Sequence, residues 1–179
     1  MDETNRLLGM QDGEGGTVSH QDTQKGKYMT FKSGSEYFGL EIQYVQQIIQ
    51  AQTITKIPET EDYIKGLINL RGRIIPVVDV RLRFKQEPIE YNEKTCIIVI
   101  NVKDMTVGLI VEQIAEVVEI KEENILPPPS IGRGERAGQN KYVYGIGKVG
   151  STVKLLLDPE KLLYDDEPAE TEQMQFNEE

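Results

Sequence analysis

The 179-residue chain is long enough for one domain, or two very small ones, with a sizeable core. Its formal net charge of −10 sits at the ends: residues 1–25 carry five acids and two bases, residues 165–179 seven acids and no base, leaving 18 of each between. That near-neutral body excludes an electrostatic nucleic-acid surface and a basic membrane patch, the single cysteine excludes an intrachain disulfide, and no run reaches the ~18 apolar residues of a membrane helix.

Residues 1–24 are rich in Gly, Gln and Asp and are expected to be a disordered tail. From 25 to 164, short apolar runs alternate with turn residues, which predicts a mainly β domain. The expected strands are Lys27–Phe31, Tyr37–Leu40, Thr53–Ile57, Ile64–Leu70, Arg73–Val78, Thr95–Asn101, Thr106–Val111, Glu116–Ile120, Tyr142–Val149 and Thr152–Leu157. Ser33-Gly34-Ser35 and Lys103-Asp104 mark tight hairpin turns. Ile42, Val45, Ile48 and Ile49 fall at i, i+3, i+6 and i+7, which predicts about two turns of helix. Asp79 reads as an N-cap for Val80–Phe84, and Asp158-Pro159 repeats that signal with proline at the first helical position. Cys96 opens the apolar run Cys96–Ile100 and is expected to be a buried, inert thiol in a reducing cytoplasm. Residues 165–179 form an acidic tail, again expected to be disordered.

The chain also contains a weak internal repeat. Gly39-Leu40 followed by Val45, Ile48 and Ile49 recurs 69 residues later as Gly108-Leu109 followed by Ile114, Val117 and Val118. Gly66-Leu67, Leu70, Ile74 and Val77-Val78-Asp79 recur at a spacing of 79 as Gly145-Ile146, Val149, Val153 and Leu156-Leu157-Asp158. The change of spacing places an insertion within Leu126–Lys141. Duplication predicts two similar units of about five strands, closed into small barrels because closure removes exposed sheet edges. The boundary is expected near 85–95.

Catalytic chemistry is hard to assemble from this sequence. His20, the one histidine, lies in the N-terminal tail, so neither a histidine-based triad nor a zinc site can form with Cys96. Gly132-Arg133-Gly134 lacks the strand–loop–helix context of a phosphate loop. Asp79 ends an apolar strand as a phospho-acceptor would, but its repeat mate Asp158 makes capping the simpler role. Glu112, Glu116, Glu119, Glu122 and Glu123 read as a solvated acidic face. No enzyme activity, cofactor or metal is expected.

Arg71 stands apart. The turn Asn69-Leu70-Arg71-Gly72-Arg73 has Lys148-Val149-Gly150-Ser151-Thr152 as its repeat mate, which makes the same bend without an arginine. The fold alone therefore does not require Arg71, whose guanidinium suits carboxylates or backbone carbonyls. The stretch IKGLINLRGRIIPVVDVRLRF (Ile64–Phe84), with YFGLEIQYVQQII (Tyr37–Ile49) and KIPETEDYIKG (Lys56–Gly66), resembles the CheW family of bacterial chemotaxis coupling proteins from about Lys27 to Leu163. The resemblance implies two intertwined SH3-like five-stranded β-barrels and a non-catalytic adaptor. Its implied partners are the regulatory domain of the histidine kinase CheA and the cytoplasmic tips of methyl-accepting chemoreceptors. It would work in the cytoplasm within an extended, membrane-recruited array, with no membrane insertion of its own and no nucleic acid.

By the same resemblance, Asn69, Arg71, Gly72, Gln47, Ile42, Val45 and Ile48 belong to receptor binding and coupling. Ile54, Lys65, Gly66 and Ile74 belong to kinase binding. Gln47 departs from the family, many of whose members carry an acid there as the arginine's partner; glutamine still accepts a hydrogen bond, without charge assistance. Two other readings remain: the module could derive from a CheV-type or kinase regulatory protein, or the barrel could bind a small molecule.

Overall fold

Strand-forming runs dominate the computed structural model, which describes residues 24–129 and 141–164. In chain order the strands are β1 (Lys27–Ser33), β2 (Glu36–Glu41), β3 (Val45–Gln50), β4 (Ile64–Leu70), β5 (Arg73–Asp79) and β6 (Cys96–Val102). They continue with β7 (Met105–Val111), β8 (Gln113–Glu119), β9 (Ile125–Leu126), β10 (Val143–Val149) and β11 (Thr152–Leu157). Two short helices, α1 (Val80–Arg83) and α2 (Pro159–Tyr164), follow β5 and β11. The tails and Gly132-Arg133-Gly134 lie outside the described residues, as does most of the insertion.

The expected hairpin turns form where residues tolerate positive φ. Gly34 (φ +64°) bends β1 into β2, and Lys103 (φ +49°) with Asp104 (φ +63°) bends β6 into β7. Both aspartates cap their helices. Asp79 Oδ1 accepts from the Leu82 amide (3.3 Å), and Asp158 Oδ1 from the amides of Glu160 (3.0 Å) and Lys161 (3.2 Å). The second oxygen of Asp79 accepts from the Tyr91 hydroxyl (2.6 Å), pinning the segment between α1 and β6. Burial and the neighbouring Asp79 hold that phenol protonated, with its pKa pushed well up.

The hairpins pair within each half, and the sheets are completed across the repeat. One sheet runs β8-β1-β2-β11-β10-β9 and the other β3-β6-β7-β5-β4, so each half contributes its first hairpin to the other half's sheet. Parallel contacts join the exchanged hairpins at matching places: Val77 opposite Gly108 (β5–β7) and Leu156 opposite Gly39 (β11–β2). These positions are repeat mates at the spacings of 69 and 79, and both glycines are there for close approach. A Cβ on Gly108 would lie 2.8 Å from Val77 Cγ1, and one on Gly39 3.0 Å from Leu156 Cδ2. Each sheet then closes. The chain leaving β3 returns at Thr55 to bond Leu67 of β4 (2.9 and 2.8 Å), and the chain leaving β8 returns as β9 to pair with β10. The result is the expected pair of intertwined barrels, with five strands in one sheet and six in the other, where the expected fifth position is split into β8 and β9.

Three apolar clusters follow from that topology. Ile68, Ile75, Val77, Ile97, Val99 and Ile110 fill the first barrel, and Tyr28, Val118, Ile120 and Leu156 the second. The largest cluster lies between them and draws on both sheets, with Phe31, Phe38, Leu40, Ile98, Ile100, Leu109, Leu157 and Leu162 at its centre. Each such side chain taken out of water is worth about 1.5–3 kcal/mol. An aromatic ladder crosses the same interface, from Phe31 to Phe38 (5.8 Å), Phe84 (4.8 Å) and Tyr142 (5.9 Å).

Several expectations need correcting. Val45–Gln50 is not helical. After a single 3₁₀ turn at Ile42–Tyr44 it is an edge strand paired to β6, because long-range pairing with Ile97, Ile98 and Ile100 outweighs the local stripe. Thr53–Ile57 shrinks to the one bridge at Thr55, while its counterpart Ile125–Leu126 is a short strand that composition did not flag. Cys96 is half-buried rather than buried, with its thiol donating to the Lys94 carbonyl (3.3 Å). Glu112 leaves the solvated acidic face: its Oε2 accepts from the Gly34 amide (2.7 Å) and from Arg81 (3.2 Å), clasping the β1–β2 turn to α1.

Candidate functional site

The β4–β5 hairpin projects from the first barrel with both central residues in the left-handed region, Arg71 at φ +51° and Gly72 at φ +84°. Asn69 makes this turn possible, since its Oδ1 accepts from the Gly72 amide (2.8 Å). The equivalent turn has Gly150 (φ +59°) where this one has Arg71. Arg71 is exposed, and its guanidinium meets no acceptor among the described residues. Arg73, by contrast, turns back to donate to Thr106 Oγ1 (3.0 Å). Beside the turn, and opposite Asn69 in register, Ile74 is 62% exposed, an unusual position for an isoleucine.

Of the other residues expected at the kinase contact, Gly66 serves the closure of this barrel. Gly66 is buried at φ +139°, and a Cβ there would fall 2.0 Å from the Thr55 carbonyl oxygen. Its side is therefore closed to a partner, and it acts through the shape of the bridge. Ile54 packs half-buried against the barrel's interior cluster, and Lys65 is half-buried on β4.

Residues tied to receptor binding divide between two settings. Asn69, Arg71 and Gly72 share the hairpin, whereas Ile42, Val45, Gln47 and Ile48 belong to the 3₁₀ turn and β3. Burial alternates along β3: Val45, Gln47 and Ile49 are half-buried, while Gln46, Ile48 and Gln50 are exposed. Ile48 is 39% exposed, and Val45 packs against the cluster between the barrels. The barrel closes between β3 and β4 through Thr55 and Leu67, yet no hydrogen bond joins Gln47 to Arg71 among the described residues.

Sequence reading missed one polar cluster. At the mouth of the second barrel, beside a cavity of about 700 Å³, the Tyr144 hydroxyl donates to Glu41 Oε1 (3.0 Å) and lies 3.3 Å from that of Tyr28. Burial, then the neighbouring hydroxyl and carboxylate, push Tyr144 far up; burial likewise raises Tyr28. Both phenols stay neutral and the group contains no nucleophile. The repeat carried the signal, since Tyr28 and Glu41 stand where the first barrel has the buried Ile97 and Ile110. No set of His, Cys, Asp and Glu suited to a metal occurs among the described residues, nor any helix long and apolar enough to cross a membrane.

The turn thus holds an exposed arginine beside an exposed isoleucine whose repeat mate, Val153, is itself 51% exposed. The comparisons with known proteins agree with the fold. The chain is 36% identical over 143 residues to the chemotaxis protein CheW of Klebsiella aerogenes, spanning 80% of this chain and 84% of that protein. It is 30% identical over 138 residues to the chemotaxis protein CheW of Treponema pallidum, spanning 75% and 79%. The crystal structure of the scaffolding protein TtCheW from Thermoanaerobacter tengcongensis superposes with a TM-score of 0.70 at 34% identity, covering 78% of this chain and 92% of that one. The family model of the CheW-like domain matches residues 27–167, and with these relatives it establishes that the chain belongs to the CheW family.

Proposed function

We propose that this chain is a non-catalytic adaptor of bacterial chemotaxis, joining the cytoplasmic tips of methyl-accepting chemoreceptors to the regulatory domain of the histidine kinase CheA. Arg71 is the observation that carries the reading. The turn retains an arginine in a conformation glycine fills more cheaply, as Gly150 does in the second barrel, and presents it to solvent. An exposed guanidinium with no acceptor among the described residues, at a turn whose repeat mate does without one, fits a contact outside the chain. In this reading Asn69 and Gly72 shape the hairpin, Arg71 meets a partner carboxylate or carbonyl, and Ile42, Val45, Gln47 and Ile48 form the receptor face. The kinase packs on the exposed Ile74, with Ile54, Lys65 and Gly66 setting the shape beneath. The adaptor works at the cytoplasmic side of an extended receptor array.

Reconstitution with the kinase and a receptor fragment tests this, with kinase phosphorylation as the readout. Adding the protein is expected to make phosphorylation receptor-dependent. Arg71→Ala should weaken that effect by at least about ten-fold, the loss of one charge-assisted contact, without unfolding the barrel. Full activation by Arg71→Ala would sink the proposal.

A further inference from the structure

The second barrel departs from the first at Lys154. Its repeat mate is Ile75, which is 1% exposed in the interior of the first barrel, yet Lys154 is itself only 4% exposed. A buried ammonium costs several kcal/mol unless well paired. Here the compensation is thin. The ammonium lies 4.2 Å from the centre of the Tyr37 ring and 3.9 Å from Glu116 Oε1, at the outer limit of an ion pair. The Glu116 side chain is 61% exposed, so its hold on the lysine is weak and displaceable. Beside them opens a cavity of about 410 Å³, whose wall also holds Lys32, Gln113 and Thr152. Lys32 has no carboxylate within ion-pair distance among the described residues. Within a near-neutral body, this is a cavity walled by two lysines and one loosely placed carboxylate.

We infer that this cavity takes the carboxylate side chain of a partner protein, bound at Lys154 Nζ in the place Glu116 holds loosely, with Lys32 as the second cation. The exchange keeps the buried charge compensated, because one carboxylate leaves as another arrives. A cavity this size suits one or two side chains rather than an extended ligand. The site lies on β11 and β1 of the six-stranded sheet, so it adds a contact to those proposed above on β3 and the β4–β5 hairpin.

Titration of the full chain with N-acetyl-glutamyl amide tests this, following the Lys154 and Tyr37 resonances by NMR. A saturable shift is expected, with the neutral glutaminyl analogue at least about ten-fold weaker, as for a lost charge-assisted contact. Lys154→Met should lose binding by a similar factor, and the first barrel's Ile75 indicates that the fold accepts an apolar residue there. Glu116→Gln removes the competing carboxylate and should tighten binding about three-fold or more. That variant leaves the backbone anchored, since the Thr30 hydroxyl donates to the Glu116 carbonyl (2.6 Å) and accepts from its amide (3.1 Å). A flat wild-type titration, unchanged binding in Lys154→Met, weaker binding in Glu116→Gln, or tighter binding of inorganic phosphate than of the carboxylate would each overturn the inference.

Discussion

At Arg71, a side chain with a Cβ holds φ at +51°, a conformation costing about 1 kcal/mol that asparagine tolerates through its short polar side chain. Arg71→Asn should therefore leave stability unchanged or raise it by up to about 1 kcal/mol in denaturant unfolding, while receptor-dependent kinase activation falls. A clear loss of stability would mean that Arg71 makes a contact within the barrel. Gly66 is the opposite case. Gly66→Ala would drive a methyl to 2.0 Å from the Thr55 carbonyl oxygen and open the two hydrogen bonds that close the barrel. It should cost about 3 kcal/mol or more, and kinase binding should decline in step with the folded fraction measured by circular dichroism. Binding lost at full stability would instead make Gly66 part of the contact surface.

Among the elements, what was legible depended on whether the deciding interactions were local. The β4 and β11 boundaries match the sequence reading, because apolar runs bounded by Arg71-Gly72 and Gly150-Ser151 leave little freedom. The two capping aspartates were legible for the same reason. β3 was not: its apolar residues suit a helical stripe as well as a strand, and only pairing with β6 decides. The repeat could have decided it in advance. Val45 and Ile48 are mates of Ile114 and Val117, and β3 pairs Ile48 with Ile98 and Val45 with Ile100 as β8 pairs Val117 with Met29 and Ile114 with Phe31. At the site, Arg71 stands out by what its repeat mate lacks, whereas Ile74 takes the outward face of β5, alternating with buried Ile75 and Val77, as its mate Val153 does on β11. Lys154 is not legible in the sequence, because one lysine in the run Thr152–Leu157 looks like ordinary strand polarity until its burial is known.

For the molecule as a whole, the exchange of hairpins determines how it can come apart. β1 and β2 find their neighbours β8 and β11 only in the second half of the chain, and β6 and β7 find β3 and β5 only in the first. The barrels also share their largest apolar cluster, and Arg83 stands at the junction. It is 7% exposed, donates through Nε to the Leu162 carbonyl (2.7 Å), and lies 4.3 and 5.1 Å from the rings of Tyr63 and Tyr142. Those tyrosines are repeat mates, as are Arg83 and Leu162, so one buried arginine marks the centre of the pseudo-symmetry. A barrel cannot form from a contiguous half under these conditions. Cleaving the chain between α1 and β6, within residues 85–95, should leave each fragment unfolded alone. Mixing them should restore the fold, since the cut removes no strand and the sheets already bridge it. Circular dichroism and amide NMR dispersion of the fragments, separate and mixed, check this; a folded isolated fragment would show that one barrel is self-sufficient. The intact chain should accordingly unfold in one cooperative transition rather than two, because losing either barrel strips the other of a hairpin and of the core between them.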